Sequence, residues 1–295
     1  MVLTAARKLV ASPVRTLLPY GLMSVAQPIE DSDSHWQLGV RFEPDTCTQA
    51  NITTMDCPAP PADKMPTETM GLRGSNPFTV YSMPVCSPIG YIGEAERRAI
   101  AALTSGEART VEGEFWTGAA GTTPHLAAST PITGSDGTIE QTAATVLVSG
   151  AVDVVEGVAL LEEALSSCYG NEGVLHVPRS VLTHMTAWNL VTKDGAKLRS
   201  PSGHLIAAGA GYPGSSPVAP TGSPGAGLRW IYGTGAVTIR RSGIEVPAAR
   251  PADVLSRSKN DVILVAERTY VIGWDCCHFA IPISITGVTT GTLGT

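Results

Sequence analysis

The sequence predicts an α+β fold with a loop-rich body, and three observations carry that reading. Residues 153–169 place Val154, Val158, Leu161, Leu165 and Cys168 at alternating steps of four and three, the period of an amphipathic helix. Asn260 to Ile283 opens on a turn signal and continues through β-branched and apolar residues, as strands do. Around both lie stretches rich in glycine and proline, 31 and 22 in the whole chain, which interrupt regular elements.

Taken in order, residues 1–42 read as an N-terminal arm. The first 29 carry Arg7, Lys8 and Arg15 and no acid, as a targeting segment does. Pro13, Arg15 and Pro19 interrupt any apolar core there, so an extended arm is expected, ending near Trp36 and a strand-like Gln37–Phe42. Residues 43–87 hold Pro58, Pro60, Pro61 and Pro66 and read as an extended loop or hairpin reaching away from the body. Asn51-Ile52-Thr53 is an isolated glycosylation signal there.

Residues 88–150 begin with a long helix, Glu94 to Thr117, whose early Glu94 and Glu96 suit the helix dipole. Ala99, Leu103, Val111 and Phe115 share its apolar face, with Glu107 and Glu112 placed off it. Ser105-Gly106 marks a bend and Gly118 a stop. Residues 119–150 read as polar loop, with Thr145–Val148 the best strand candidate.

Residues 151–245 start with the helix of 153–169, closed by Gly170. Val174–Val177 is a short buried strand, and Pro178 opens a third helix carrying Val181, Leu182, Met185 and Trp188. Residues 195–227 are rich in Gly, Pro and Ser and read as loop. Trp230–Arg241 and Ile244–Val246 return as strands turned at Gly243, and residues 246–295 supply the closing strands.

Composition narrows the function. A chain of 295 residues with 43% hydrophobic content buries a sizeable core and is not disordered overall. Charged residues are only 16%, a low value that suits a surface partly covered by neighbours. Net charge is −6 and no basic stretch exceeds two residues, which argues against a sequence-specific nucleic-acid binder. No run of 18 apolar residues exists, so no transmembrane helix and no membrane partner are expected. Six cysteines, at 47, 57, 86, 168, 276 and 277, are too dispersed for a compact disulfide scaffold. Reduced thiols are the expectation, with a Cys47–Cys57 pair the one local alternative.

The conspicuous chemistry is Asp275-Cys276-Cys277-His278, which could supply metal ligands or a thiolate–imidazole pair. Read as strand, its two cysteines point to opposite faces, and Cys-x-x-Cys spacing occurs nowhere. Buried, chemically idle cysteines are therefore expected. No G-x-S-x-G elbow exists, His176 reads as a satisfied core residue, and the glycine-rich stretches at 209–214 and 222–227 lack a phosphate-binding arrangement. Glu162-Glu163 reads as a solvated helix face. No catalytic, cofactor-binding or metal-binding residue is assigned.

The order of elements from Val154 onward resembles the major capsid proteins of tailed bacteriophages, whose fold encapsulins share. Three passages carry the resemblance. The helix of 154–169 is followed by VLHVPRSVLTHMTAWNLVTKDG, similar to the family's strand, proline and helix. LRSPSGHLIAAGAGYP at 198–213 resembles the loop before its next strand, and VILVAER at 262–268 its closing strand. The segments of 1–118 match the family's arm, extended loop and spine helix in order and length. The chain departs from the pattern at Val177, where the family has Asn, and carries a single Glu before Arg268. The Ala/Gly/Pro-rich composition suggests a phage of actinobacteria.

This resemblance implies a tailed-phage major capsid fold. Residues 88–150 would form a peripheral domain, 151–245 mainly an axial domain, and 246–295 the strands returning to the peripheral part. It implies a structural, non-enzymatic subunit forming pentamers and hexamers of an icosahedral head around double-stranded DNA held non-specifically. The head would be assembled in the bacterial host cytoplasm, with separate scaffolding, portal and decoration proteins as possible partners. Intersubunit contacts are expected at Glu267, Arg268, Lys64 and Trp36, with Glu267-Arg268 read as a charge pair inside an apolar strand. No lysine–asparagine pair for crosslinking can be placed. The alternatives are an encapsulin-like compartment, a minor or decoration head protein, and a Cys/His metal-dependent enzyme.

Overall fold

Asp153 starts the helix of 154–169 because its carboxylate accepts hydrogen bonds from the Val155 and Glu156 amides, at 2.8 and 3.0 Å. Those amides have no acceptor inside the helix. Gly170 ends the helix in the left-handed conformation, φ 65°, which a residue without Cβ adopts freely. Local chemistry thus sets both ends where the sequence places them.

A computed structural model describes residues 16–30, 33–44, 50, 71–86, 92–134, 137, 139–215, 227–247, 255–256 and 261–285. Its elements begin with a short helix α1 (Leu22–Val25), β1 (Ile29–Glu30), a 3-10 turn (His35–Leu38) and β2 (Val40–Phe42). Then come β3 (Arg73–Ser75), β4 (Pro77–Ser82), β5 (Val85–Cys86) and the long helix α2 (Ile92–Thr117). Three short strands follow: β6 (Ile132–Thr133), β7 (Ile139–Gln141) and β8 (Thr145–Val146). Next are α3 (Val154–Tyr169), β9 (Val174–Pro178), α4 (Arg179–Ala187), β10 (Thr192–Asp194), β11 (Lys197–Arg199) and β12 (Leu205–Gly209). The chain continues through β13 (Leu228–Thr234), β14 (Val237–Arg241), β15 (Leu255–Ser256) and β16 (Asp261–Ile263) to β17 (Ala266–Trp274) and β18 (His278–Ser284).

Two sheets organise the molecule. A seven-stranded mixed sheet runs β10-β11-β12-β9-β13-β18-β8, and a four-stranded sheet runs β1-β14-β17-β4. Strands of the larger sheet alternate their side chains between two cores. Leu175, Val177, Ile206, Ala208, Ile231 and Ile281 pack with Val158, Leu161 and Leu165 of α3 and Val181 and Met185 of α4. Val174, Ala207, Trp230, Tyr232 and Ala280 face the other way, toward Leu103, Val111 and Phe115 of α2 and Ile239, Ile272 and Trp274 of the smaller sheet. Leu161, Leu165, Leu175 and Ile206 have no exposed surface, and each such burial is worth about 1.5–3 kcal/mol. The segment after 246 divides among three sheets: β15 and β16 form a small sheet with β5, β17 serves the four-stranded sheet and β18 the seven-stranded one.

Several local expectations are corrected. The segment 195–227 contains β11 and the central strand β12, which pairs in parallel with β9 (Leu205↔Val174). LIAAG escapes notice because it is short, glycine-flanked and buried on both faces, so no alternation shows. Helix α2 runs 26 residues, about 39 Å, without interruption at Ser105-Gly106. The chain reverses between β13 and β14 at 235–236, and 244–246 contributes only the bridge of Glu245 with Glu267. Gln37–Phe42 is a 3-10 turn followed by a three-residue strand, and 132–141 forms the hairpin β6–β7. Trp188 ends α4 half-exposed instead of packing with its core face.

Candidate intersubunit site

β17 lies between β14 and β4, so Ala266-Glu267-Arg268 is a sheet position with one face inward and one outward. Arg268 lies opposite Val80, and Tyr270 opposite Phe78, on the face that meets α2. There Arg268 Nη1 donates to both carboxylate oxygens of Glu107, at 3.2 and 3.1 Å, and the Tyr270 hydroxyl donates to Oε2 at 2.9 Å. The two charged side chains are only 11% and 9% exposed. Burial, and then the Glu107 carboxylate, push the Tyr270 phenol up to about 12.

Arg268 therefore takes its carboxylate partner from helix α2, not from the adjacent Glu267. Alternation along a strand sends neighbours to opposite faces. Glu267 lies opposite Tyr81 on the outer face, where Thr79 and Thr269 also meet, their hydroxyl oxygens 3.4 Å apart. Tyr81 is 65% exposed, Glu267 and Thr269 are half-buried, and β4 is the sheet's edge. Trp36, in the 3-10 turn, is buried within its own chain, while Leu38 in the same turn is exposed. Lys64 lies outside the described residues.

Glu107 and Glu112 are both buried, against the expectation that they sit off the apolar face. The signal was present: Glu107 stands in the i, i+4 row of Ala99, Leu103, Val111 and Phe115. Glu112 anchors the arm. Its Oε1 accepts from the Leu22 amide at 3.0 Å and its Oε2 from the Gly211 amide at 2.9 Å. Arg179 donates to the Pro19 carbonyl at 2.6 Å and the Ala208 amide to that of Tyr20 at 2.7 Å, completing the dock. Gly211 is required here, because a Cβ would collide with the Arg109 carbonyl of α2. Burial raises the Glu112 carboxyl's affinity for a proton, opposed by its amide hydrogen bonds.

Replacing Glu112 with glutamine leaves one oxygen for two amides and turns an N–H group toward the other. The expected loss is about 2 kcal/mol. Faster proteolysis within 19–26 checks it, and an unchanged cleavage rate contradicts the anchoring role.

Asp275-Cys276-Cys277 is a turn between β17 and β18, not a strand, and Cys277 has φ 56°. Cys277 is disulfide-bonded to Cys168 at the end of α3, with Cα atoms 6.1 Å apart, which corrects the expectation of reduced thiols. Among the described residues no cluster of three His, Cys, Asp or Glu is placed to hold a metal. Glu162, expected on a solvated face, is buried and accepts from the Ser202 amide at 2.9 Å.

The core histidines complete the polar inventory. Thr234 Oγ1 donates to the Gly235 carbonyl at 3.0 Å, so it accepts from His176 Nε2–H at 3.0 Å. His176 Nδ1 then accepts from the Tyr212 hydroxyl at 3.1 Å. His278 reaches the Leu126 and Thr142 carbonyls and, when neutral, donates to one of them. Burial lowers His176 to about 3 and His278 to about 4.

No family model matches the chain, and no curated protein matches it. Among solved structures, the capsid of an empty GTA particle matches with TM-score 0.55 and 13% identity, over 95% of each chain. The encapsulin of the holo-SrpI complex from Synechococcus elongatus PCC 7942 matches with TM-score 0.54 and 10% identity, over 97% of this chain and 95% of that one. Microbacterium phage Oxtober96 matches with TM-score 0.50 and 12% identity, over 95% and 96%. The chain has the mixed α+β fold of phage capsid proteins and encapsulins. Among the described residues no helix is long and apolar enough to cross a membrane.

Proposed function

We propose that this chain is a structural, non-enzymatic major capsid subunit that assembles with copies of itself into the pentamers and hexamers of an icosahedral phage head. The observation that carries the reading is the extent of the likeness: it spans 95% of both this chain and the GTA capsid chain and is not confined to one part of the fold. Residues 1–42 act as an arm and 43–87 as an extended loop. Residues 88–150 and 246–295 build the peripheral part, and 151–245 mainly the axial part. The net charge of −6 suits a shell around double-stranded DNA that stays mobile, because tight binding needs many phosphate-neutralising cations. The head forms in the cytoplasm of a bacterial host, for which actinobacteria are our reading. Scaffolding, portal and decoration proteins are separate chains.

The encapsulin's TM-score of 0.54 supports a second reading, a compartment shell with protein cargo. Nucleic acid against protein inside purified particles separates the two.

Within the first reading Glu267 and Lys64 make intersubunit contacts. Arg268 and Trp36, buried in their own chain, act by holding the strand and turn that present the contact surface. Glu267→Ala is expected to leave urea unfolding of the subunit within about 0.5 kcal/mol of wild type, as for other surface changes, while reducing the yield of shells. Normal shells from this variant would remove Glu267 from the interface.

A further inference from the structure

The Cys168–Cys277 bond joins the end of α3 to the β17–β18 turn, and the contacts that hold its two ends together do not depend on it. Next to Cys168, the Tyr169 hydroxyl donates to Asp275 Oδ2 at 2.7 Å. Next to Cys277, the Cys276 amide donates to Asp275 Oδ1 at 2.7 Å, and the Gly235 amide donates to the Cys276 carbonyl at 2.8 Å. Asp275 is thus tied at once to the helix and to its own turn. These hydrogen bonds bridge the same two ends as the S–S bond, whose Cα atoms are 6.1 Å apart. Both cysteines are partly exposed and line a cavity of about 290 Å3 shared with Arg73, Glu140 and Phe279. Small oxidants and thiols have access there.

We propose that Cys168–Cys277 is a reversible redox tie, made on the folded chain and not needed to fold it. In closing, each thiol gives up one proton and one electron and the S–S bond forms. Dioxygen takes both electrons and both protons and leaves as hydrogen peroxide. In opening, the thiolate of a small monothiol of the glutathione class attacks one sulfur and expels the other cysteine as thiolate, leaving a mixed disulfide. A second monothiol thiolate attacks the small-molecule sulfur of that mixed disulfide, which frees the remaining cysteine and forms the external disulfide. The bond closes a separation of 109 residues between a helix end and a sheet turn. Its effect therefore falls mainly on the unfolded chain. Assembly is not required, so this inference stands or fails apart from the capsid reading.

The test uses the full-length chain, purified under dithiothreitol and then moved to air-saturated buffer. The linked 168–277 peptide is followed by non-reducing peptide mass spectrometry, with near-UV and far-UV circular dichroism in both states. We expect a linked peptide that forms in air and disappears under glutathione, spectra of the closed chain equal to those of Cys168→Ser, and a thermal midpoint roughly 5–10 °C higher for the closed chain than for that variant. Cys168→Ser should keep the spectra and lose the linked peptide. Loss of the near-UV signal in Cys168→Ser, in which only this bond is removed, would mean that the bond is required for folding and would overturn the proposal. Failure of the peptide to form in air would overturn it too, as would a linked peptide that glutathione opens only after denaturant is added.

Discussion

Replacing Glu107 with alanine is expected to destabilise the subunit by about 3–5 kcal/mol, because it leaves the Arg268 guanidinium buried without its carboxylate. The side chain of Arg268 is 11% exposed, so water cannot take over the lost partner. The Tyr270 hydroxyl also loses its acceptor. The pair is not thereby a large net source of stability. Glu107→Leu combined with Arg268→Met removes both charges and fills similar volume, and such exchanges are often near neutral. Urea unfolding of the two single variants and the double variant measures the coupling. A Glu107→Ala loss below about 1 kcal/mol, the range of exposed pairs, would show the bridge to be solvated.

Acid is expected to weaken the fold through His176 and His278. Both are neutral in the folded chain, with affinities lowered to about 3 and about 4 from an ordinary value of 6.5. The unfolded chain therefore binds more protons below pH 6.5, and stability falls as pH falls from there toward 3–4. At pH 4 the two together remove on the order of 5 kcal/mol, a large share of the 5–15 kcal/mol typical of a domain. Glu112 has the opposite sign: its raised affinity favours the folded state as pH falls. Charging His176 also puts a proton on Nδ1, where the Tyr212 hydroxyl now donates. Urea midpoints from pH 7 to pH 4 should fall steadily, and His176→Gln should flatten part of that slope. A midpoint independent of pH in this range contradicts the neutral, fully buried histidines.

What was legible in the sequence follows the physics of each element. Helix α3 announces itself, since its period, its Asp153 cap and its Gly170 stop are all local. So do β9 and α4 around Pro178. Strand β12 does not, because a short apolar run buried on both faces shows no alternation. Arg268 was identified as a charge in an apolar strand, yet its partner lies 161 residues away on α2, beyond any local pattern. Glu107 could have been found, because it completes an i, i+4 row that should otherwise be apolar. The thiol state is not legible because Asp275-Cys276-Cys277 form a turn, where the sequence reads as strand, and Cys168 lies 109 residues away. Cys277 has a positive φ, 56°, which a strand reading does not anticipate.

Assembly is the central claim, and electron microscopy of the purified full-length protein tests it most directly. Negative-stain images are expected to show closed shells with icosahedral outlines built from this chain alone or with a scaffolding protein. A monodisperse monomer or small oligomer under the same conditions, with and without such a partner, contradicts a capsid subunit.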